Sequence, residues 1–285
     1  MKPRHLIIRK LNRRNFLKTW GVAVGGLIYV PGKYLAQGQP SLTGAFKAVG
    51  AFSIGSTAAS PINIITNGLF ARWACNEGSG STLYDSSGNG YNATFQNGAP
   101  TWVSGHSGGT AVQNTASNYA KTGNVSWITN DGAASTMCAW VYPTSFAGSG
   151  SGGIAICNYG QYADTNYDAC LGVNTSGYAC FFTDGNTSGT GSQASPYHLT
   201  LNAWAFIGWT QAGSGASVIF YNNGNSDVTS QAFDYPVISP QPLLVGCTAQ
   251  DTAIQGYWLG AFQDVRVYNR ALSATEMLSI YNGTG

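Results

Sequence analysis

Short runs of alternating apolar and polar residues fill the chain from Ile62 onward, and clusters of Gly, Asn, Ser and Pro separate them. When apolar and polar residues alternate, one side-chain face points toward a core and the other toward solvent, which is typical of β-strands. No helical periodicity of useful length interrupts the pattern, which therefore predicts an all-β, antiparallel sandwich. The strands are predicted at 136–142, 153–158, 169–173, 178–183, 204–210, 216–221, 242–246 and 260–268.

Two turn sequences lie between neighbouring strands of this pattern. Asn223 and Gly224 form an Asn-Gly pair, which supplies the positive φ values that a two-residue hairpin needs. Residues 174–177 read Asn-Thr-Ser-Gly and mark a second hairpin.

One short helix is predicted at the C-terminal end of the domain. Ser273 and Glu276 have the spacing of a capping box, in which each side chain bonds the backbone N–H of the other residue. Met277, Leu278 and Tyr281 are then expected to face the sheet.

A basic and then apolar segment precedes the strands. Residues 12–18 read Asn-Arg-Arg-Asn-Phe-Leu-Lys and resemble the export signal that the twin-arginine translocase recognises. The apolar stretch at 19–30 is too short and too rich in glycine to span a bilayer, and 36–38 offer a small-x-small cleavage site. We expect an export signal at 1–38 and a secreted, periplasmic or cell-surface location, without a transmembrane segment in the mature chain. The alternative is a basic N terminus ahead of a buried helix.

Removal of this signal changes the charge of the chain. Eight of its thirteen basic residues lie before residue 39, and all eleven acidic residues lie after residue 76. The mature chain would keep five bases against eleven acids, and its surface would consist mainly of uncharged polar residues. A clustered basic footprint is missing from that sequence, which excludes nucleic acid as a partner.

The six cysteines of the mature chain allow two interpretations. An even count in an exported protein favours disulfides, and Cys157, Cys170 and Cys180 fall in consecutive predicted strands, where a cross-strand bridge is conceivable. Buried thiols are the alternative. A cysteine zinc site is not expected, because the sequence has no Cys-x-x-Cys spacing.

Several segments, in order, resemble the laminin-G-like branch of the concanavalin A-like jelly rolls. They are 68–73, 76–80, 84–94 (Tyr-Asp-Ser-Ser-Gly-Asn-Gly-Tyr-Asn-Ala-Thr), 102–105, 139–143 and 262–273. The resemblance implies a jelly-roll β-sandwich with a C-terminal helix at 67–285. The preceding segment, 39–66, begins with small, weakly patterned residues, which predicts a linker or a loosely attached first strand. It also places Trp73, Trp140 and Trp204 at positions that are normally core.

The resemblance further implies a structural calcium ion. In relatives this ion is held by the loop that corresponds to residues 84–94 and by an acid of the closing strand. The matching residues here are Asp85 and Asp264. Carboxylate and carbonyl oxygens suit Ca²⁺. The alternative is that Asp85 caps its own turn and Asp264 pairs with Arg266 or Arg270. The chain also departs from the family at 112–119, where amides and hydroxyls replace an acidic loop.

Catalysis is not expected. Retaining glucanases of this superfamily resemble one another through a Glu-x-Asp-x-x-Glu strand, but this chain has only Glu77 and Glu276, which are far apart. Asp164 and Asp168 lie four residues apart in a segment with the composition of a solvated loop. A Gly-x-Ser-x-Gly nucleophile elbow is also missing from the sequence.

Two non-catalytic functions remain. The first is recognition of a glycan or a cell-surface partner, for which the candidate residues are Trp127, Tyr162, Tyr167 and Trp258, because each lies among Asn, Asp, Gly and Gln. Trp258 has the alternative of covering the core. The second function is that of a structural or adhesive cell-surface subunit. A polysaccharide-degrading enzyme without a recognisable signature is the third alternative.

Overall fold

The computed structural model of the 285-residue chain describes ten segments. They are 64–106, 108–115, 117–127, 133–147, 154–159, 169–183, 191–213, 215–232, 240–250 and 253–285. Within these segments nearly all regular structure is antiparallel β-sheet, and one short helix follows the last strand. No helix in the described part of the chain has both the length and the apolar character required to cross a bilayer.

The first sheet contains eight strands. Seven of them pair in the spatial order β14 (Asn225–Ala232), β13 (Ser217–Asn222), β12 (Ala205–Gln211), β7 (Ser135–Pro143), β18 (Gly260–Tyr268), β5 (Thr110–Asn114) and β4 (Thr101–Ser104). The eighth, β1 (Leu69–Trp73), also pairs with β18. Strand β18 therefore changes partner along one edge, from β5 at residues 260–262 to β1 at 265–268.

The second sheet also contains eight strands. Their order is β11 (Gly191–His198), β10 (Tyr178–Thr183), β9 (Ala169–Val173), β8 (Ile154–Tyr159), β15 (Gln241–Val245), β6 (Tyr119–Val125), β3 (Ala93–Gln96) and β2 (Thr82–Leu83). A separate hairpin joins β16 (Thr248–Gln250) to β17 (Ala253–Gln255). The two large sheets form the predicted jelly-roll sandwich.

The core lies between the sheets and is rich in aromatic rings. Its largest fully buried side chains on the inner faces include Trp73, Trp209, Trp258, Phe181, Phe220 and Phe262. A second apolar cluster covers the outer face of the first sheet, where helix α1 (Ala274–Tyr281) packs with Met277 and Ile280. Burial of these faces supplies the main driving force for folding.

The predicted strands and turns are confirmed closely. Strands β9, β10 and β18 have the predicted bounds, and the other five differ by one residue at either end. Asn223 and Gly224 adopt φ values of 48° and 82°, as the two-residue hairpin requires. The capping box of Ser273 and Glu276 is present. Leu278 was predicted to face the sheet but is 42% exposed, and Ile280 takes its place in the core.

The disulfide prediction is wrong. All six cysteines lie in described segments, and each is a buried thiol that forms no disulfide. Strand register explains this result, because Cys170 lies opposite Asn158 and Phe182, and Cys180 lies opposite Gly172 and Ala194. The alternative of buried thiols is the correct one.

Candidate functional site

The two tryptophans predicted to bind ligand belong to the core. Trp127 is 4% exposed, and its indole N–H donates to the carbonyl of Tyr268 at 3.0 Å. Trp258 is completely buried and donates to the carbonyl of Ala261 at 3.1 Å. Neither ring has a face open to a sugar, so both assignments are wrong. The other two candidates, Tyr162 and Tyr167, lie outside the described residues.

A different group of aromatic side chains lies on the outer face of the first sheet. We call it the aromatic surface and define it as Tyr142, Trp204, His106, Trp140 and Tyr281. The ring centroids of successive members are 5.6, 6.1, 3.5 and 5.5 Å apart, so the five rings are continuous. His106 is exposed, and Tyr142, Trp204 and Tyr281 are half-buried. Trp140 is only 8% exposed and supports the stacked rings of His106 and Tyr281 from below.

Strand alternation places two of these rings. Trp140 and Tyr142 are outward residues of β7, whereas Ala139 and Val141 point into the core. Helix α1 brings Tyr281 against Trp140, with the two rings inclined by 25°. Trp204 directly precedes β12, and Tyr142 lies beside it on the neighbouring strand.

His106 reaches Trp140 from the loop between β4 and β5. Its backbone N–H donates to Oε1 of Gln263 at 2.9 Å, and Nε2 of Gln263 donates to the carbonyl of Thr110 at 3.1 Å. Gly105 permits this close approach, because a Cβ there would lie 2.7 Å from the Gln263 amide. The imidazole stacks on Trp140 with an interplanar angle of 15°.

The aromatic surface is uncharged at neutral pH. None of its five members is acidic or a lysine or arginine, and burial lowers the pKa of His106 below its ordinary value of 6.5. Leu201 is 41% exposed, and the next residue, Asn202, donates its backbone N–H to the carbonyl of Pro143 at 2.8 Å. This surface can stack on flat apolar faces and can bond hydroxyl groups at its polar edges.

The sequence did not predict this surface, because Trp140 and Trp204 match positions that are normally core. Trp73 is a core residue as expected, but Trp140 and Trp204 lie on the opposite side of the sheet. The available signal was the alternation of residues 139–142, Ala-Trp-Val-Tyr, which puts both aromatic rings on one face. The alternation does not say which face is the inner one.

Asp85 caps its own turn, as the alternative interpretation held. Its Oδ1 accepts from the backbone N–H groups of Arg72 and Ser87, both at 2.9 Å. Its Oδ2 accepts from the Ser87 hydroxyl at 2.8 Å and from the N–H of Tyr91 at 2.9 Å. All four acceptor positions of the carboxylate are therefore used.

Asp264 is bound by two arginines at the position where β18 changes partner. Its Oδ1 accepts from Nε of Arg72 at 2.7 Å and from Nε of Arg266 at 3.1 Å, and its Oδ2 accepts from Nη2 of Arg266 at 2.7 Å. Burial would raise the pKa of Asp264, but the two guanidinium groups outweigh burial and lower it. The backbone φ of Asp264 is 52°, which is uncommon for a residue with a side chain.

These contacts test the calcium interpretation. A Ca²⁺ ion needs six to eight oxygen ligands, several of them carboxylate or carbonyl oxygens with a free lone pair. The oxygens of Asp85 and Asp264 already accept hydrogen bonds, and the carbonyl of Arg72 accepts two from Ser86. In this arrangement Asp85 and Asp264 do not fit a calcium ion, and the assignment of a metal to them is not supported.

The glutamates are also engaged in structural contacts. Glu276 completes the capping box and pairs with Arg270, whose side-chain hydrogen bonds lower the pKa of the carboxyl to about 2. Oε1 of Glu77 accepts the N–H of Tyr84 at 2.8 Å. Asp164 and Asp168 lie outside the described residues.

The two layers, the strand order and the closing helix define a lectin-like class of β-sandwich. The chain belongs to the concanavalin A-like lectin/glucanases superfamily, because a laminin G family model with that description matches residues 114–277, more than half of the chain. The match confirms the family resemblance inferred from the sequence. No curated protein sequence matches the chain.

Solved structures with this fold are distant in sequence. Domain 4 of AbnA, an extracellular family GH43 arabinanase from Geobacillus stearothermophilus solved with arabinotriose, aligns with a TM-score of 0.57 at 15% identity. The alignment covers 75% of this chain and 98% of that domain. The binding domain of botulinum neurotoxin serotype G aligns with a TM-score of 0.50 at 16% identity, over 75% of this chain and 50% of that chain. A Trypanosoma rangeli sialidase aligns with a TM-score of 0.50 at 12% identity, over 75% of this chain and 32% of that chain. These likenesses show the shared fold.

Proposed function

We propose that this protein is an exported, non-catalytic binding module that recognises neutral glycans through the aromatic surface. The observation that carries the proposal is the continuous series of five uncharged rings on the outer face of the first sheet, three of them half-buried and one exposed. Large rigid aromatic side chains provide contact area at low entropic cost, which suits the flat C–H faces of sugar rings.

The polar groups beside the rings support the same ligand class. The exposed Asn202 lies two residues before Trp204, whereas the amide of Gln263, opposite Trp140, is used to hold the His106 loop. Amides act as both donors and acceptors, which matches sugar hydroxyls. The lack of charge among the five rings favours a neutral ligand over an anionic one.

Proteins of similar fold give the proposal further support. Domain 4 of the arabinanase was solved in complex with arabinotriose, and a neutral oligosaccharide of that kind is a ligand that the aromatic surface could hold. Botulinum neurotoxin type C, whose entry into cells depends on interaction with two ganglioside molecules, aligns at a TM-score of 0.50 and 12% identity, over 79% of this chain and 53% of that chain. Both proteins combine this fold with a ligand that contains sugar.

The lack of catalysis is part of the proposal. Retaining glycosidases need two carboxyl groups about 5–5.5 Å apart, one of them with a raised pKa. Among the described residues, Asp264 and Glu276 instead have lowered pKa values because arginines bind them. Asp85 is fully used within its turn.

Our first prediction tests the aromatic surface directly. Purified protein is screened on a glycan array, and the best neutral oligosaccharide is titrated by calorimetry. Trp204→Ala and Tyr142→Ala are each expected to weaken association about five- to 150-fold, because loss of one stacking ring costs about 1–3 kcal/mol. Tyr84→Ala is the matched control, since Tyr84 is 62% exposed and lies outside the aromatic surface.

The same experiment separates the alternatives. If all three variants bind the glycan as tightly as the unchanged protein, the glycan site lies elsewhere. Binding of the unchanged protein to no glycan would contradict the proposal. Ordered multimers without glycan preference would favour a structural or adhesive subunit. Release of shortened sugars during incubation, abolished by changing one carboxylate, would identify an enzyme.

A further inference from the structure

The Asp85 turn and Asp264 are joined by one residue, Arg72. The backbone N–H of Arg72 donates to Oδ1 of Asp85 at 2.9 Å, and its Nε donates to Oδ1 of Asp264 at 2.7 Å. Its carbonyl accepts the backbone N–H and the hydroxyl of Ser86 at 2.8 and 3.1 Å. Arg72 therefore contacts the turn with its backbone and the closing strand with its side chain.

We infer that the Arg72 guanidinium is the cation of this site, so that the turn and the closing strand are held together without a divalent metal ion. A metal at such a junction would collect carboxylate and carbonyl oxygens from separate segments and neutralise their charge. Arg72 performs both tasks, because it neutralises Asp264 and brings that carboxylate to β1, the strand whose backbone the Asp85 turn contacts.

The local charge supports this assignment. Asp85 and Asp264 carry two negative charges, and Arg72 and Arg266 carry two positive charges, so the charges of these four residues balance. The side chain of Arg266 is 3% exposed and also donates to the carbonyl of Gly285 at 3.0 Å, which fixes it in place. A divalent cation would add two uncompensated charges beside two guanidinium groups, which is unfavourable in a partly buried site.

The neighbouring carbonyls are also engaged. The carbonyl of Phe70 accepts from the Ser87 hydroxyl at 3.2 Å and from Nδ2 of Asn89 at 2.9 Å. The carbonyl of Leu69 accepts a second bond from Nδ2 of Asn89 at 3.1 Å. Oxygens that a metal would need are therefore used in hydrogen bonds between the turn and β1.

Calcium binding and thermal unfolding test the inference together. Chelator-treated protein is dialysed against radioactive calcium at about 1 mM, the weak end of extracellular calcium sites. Its unfolding midpoint is also measured with calcium and with EDTA. We expect no binding above background and equal midpoints. Stoichiometric binding, or a higher midpoint with calcium, would overturn the inference.

Substitution of Arg72 gives the second test. Arg72→Met is expected to lower the midpoint in calcium and in EDTA alike, whereas Arg72→Lys keeps the charge and is expected to lose less. Arg270→Met is the matched control, because it breaks the ion pair with Glu276 on the helix and leaves this group intact. A midpoint of Arg72→Met equal to that of the unchanged protein would contradict the role of Arg72. The calcium measurements on the unchanged protein remain decisive if this variant does not fold. Neither test depends on glycan binding.

Discussion

Asp85 organises the turn between β2 and β3 with a single carboxylate. Its two oxygens accept four hydrogen bonds, three of them from backbone N–H groups, and Oδ1 of Asn92 accepts the N–H of Asp85 itself at 2.8 Å. Backbone donors in a glycine-rich turn have few other protein partners. Asp85 therefore acts as the acceptor around which the turn forms.

Asp85→Asn is predicted to destabilise the protein by about 1–3 kcal/mol, because the amide nitrogen would replace an oxygen that faces donors. Urea unfolding measures the change. Asp227→Asn on β14 is the control, since Asp227 is exposed and its substitution should cost less. Equal stability of Asp85→Asn and the unchanged protein would show that the hydrogen bonds of Oδ2 contribute nothing.

The tryptophans show what residue-level prediction cannot supply. The polar neighbours of Trp127 and Trp258 suggested exposure, yet both indoles found backbone carbonyls inside the core. Trp140 matched a core position and is buried, but it belongs to the second apolar cluster, on the outer face of the first sheet. Local composition reports what surrounds a residue along the chain, whereas exposure depends on which sheet face meets the other layer.

At the scale of elements, the helix and eight of the eighteen described strands were predicted from the sequence. Clusters of Gly, Asn, Ser and Pro between apolar runs located these eight within one residue at either end, although β9, β12 and β15 are buried along their whole length and do not alternate. The strands that were missed include β6, β11 and β14, whose seven or eight residues are mostly small or polar. Short strands such as β2, β16 and β17 contain two or three residues, too few for a period to be visible. The pairing of β18 with three other strands also depends on long-range contacts that no local pattern encodes.

The helix cap predicts acid sensitivity. The pKa of Glu276 is lowered from 4.5 to about 2 in the folded protein, chiefly by hydrogen bonds from Arg270. A lowered pKa means that its contribution to stability is complete above pH 4.5 and is lost as the pH falls toward 2. Urea unfolding at pH 5 and pH 3 should show this loss. Glu276→Gln should reduce the pH dependence, and an unchanged dependence would contradict the assignment.

At the scale of the molecule, the fold contains six buried thiols and not the disulfides that the sequence suggested. A sandwich with a large aromatic core can be stable without disulfides, in contrast to small domains that lack such a core. The cysteine count and the export context favoured disulfides. A cross-strand disulfide requires two cysteines opposite each other, and the strand register places Cys170 opposite Asn158 and Phe182 instead.

The thiols also give a prediction. Burial raises the pKa of Cys138 and of Cys180 to about 12, and the pKa of Cys157 is raised as well. The folded protein should react slowly with a thiol reagent at pH 8, and all six groups should react in denaturant. A reductant should leave the unfolding midpoint unchanged. A lower midpoint with the reductant would reveal a disulfide.

The loop between β4 and β5 carries one ring of the aromatic surface, whereas Trp140, Tyr142 and Tyr281 stand on regular elements and Trp204 directly precedes one. Under the proposed function, a change in this loop alone would alter which ligands the aromatic surface prefers, because the other four rings keep their positions. Variants that differ only in this loop would then bind different ligands with the same sandwich.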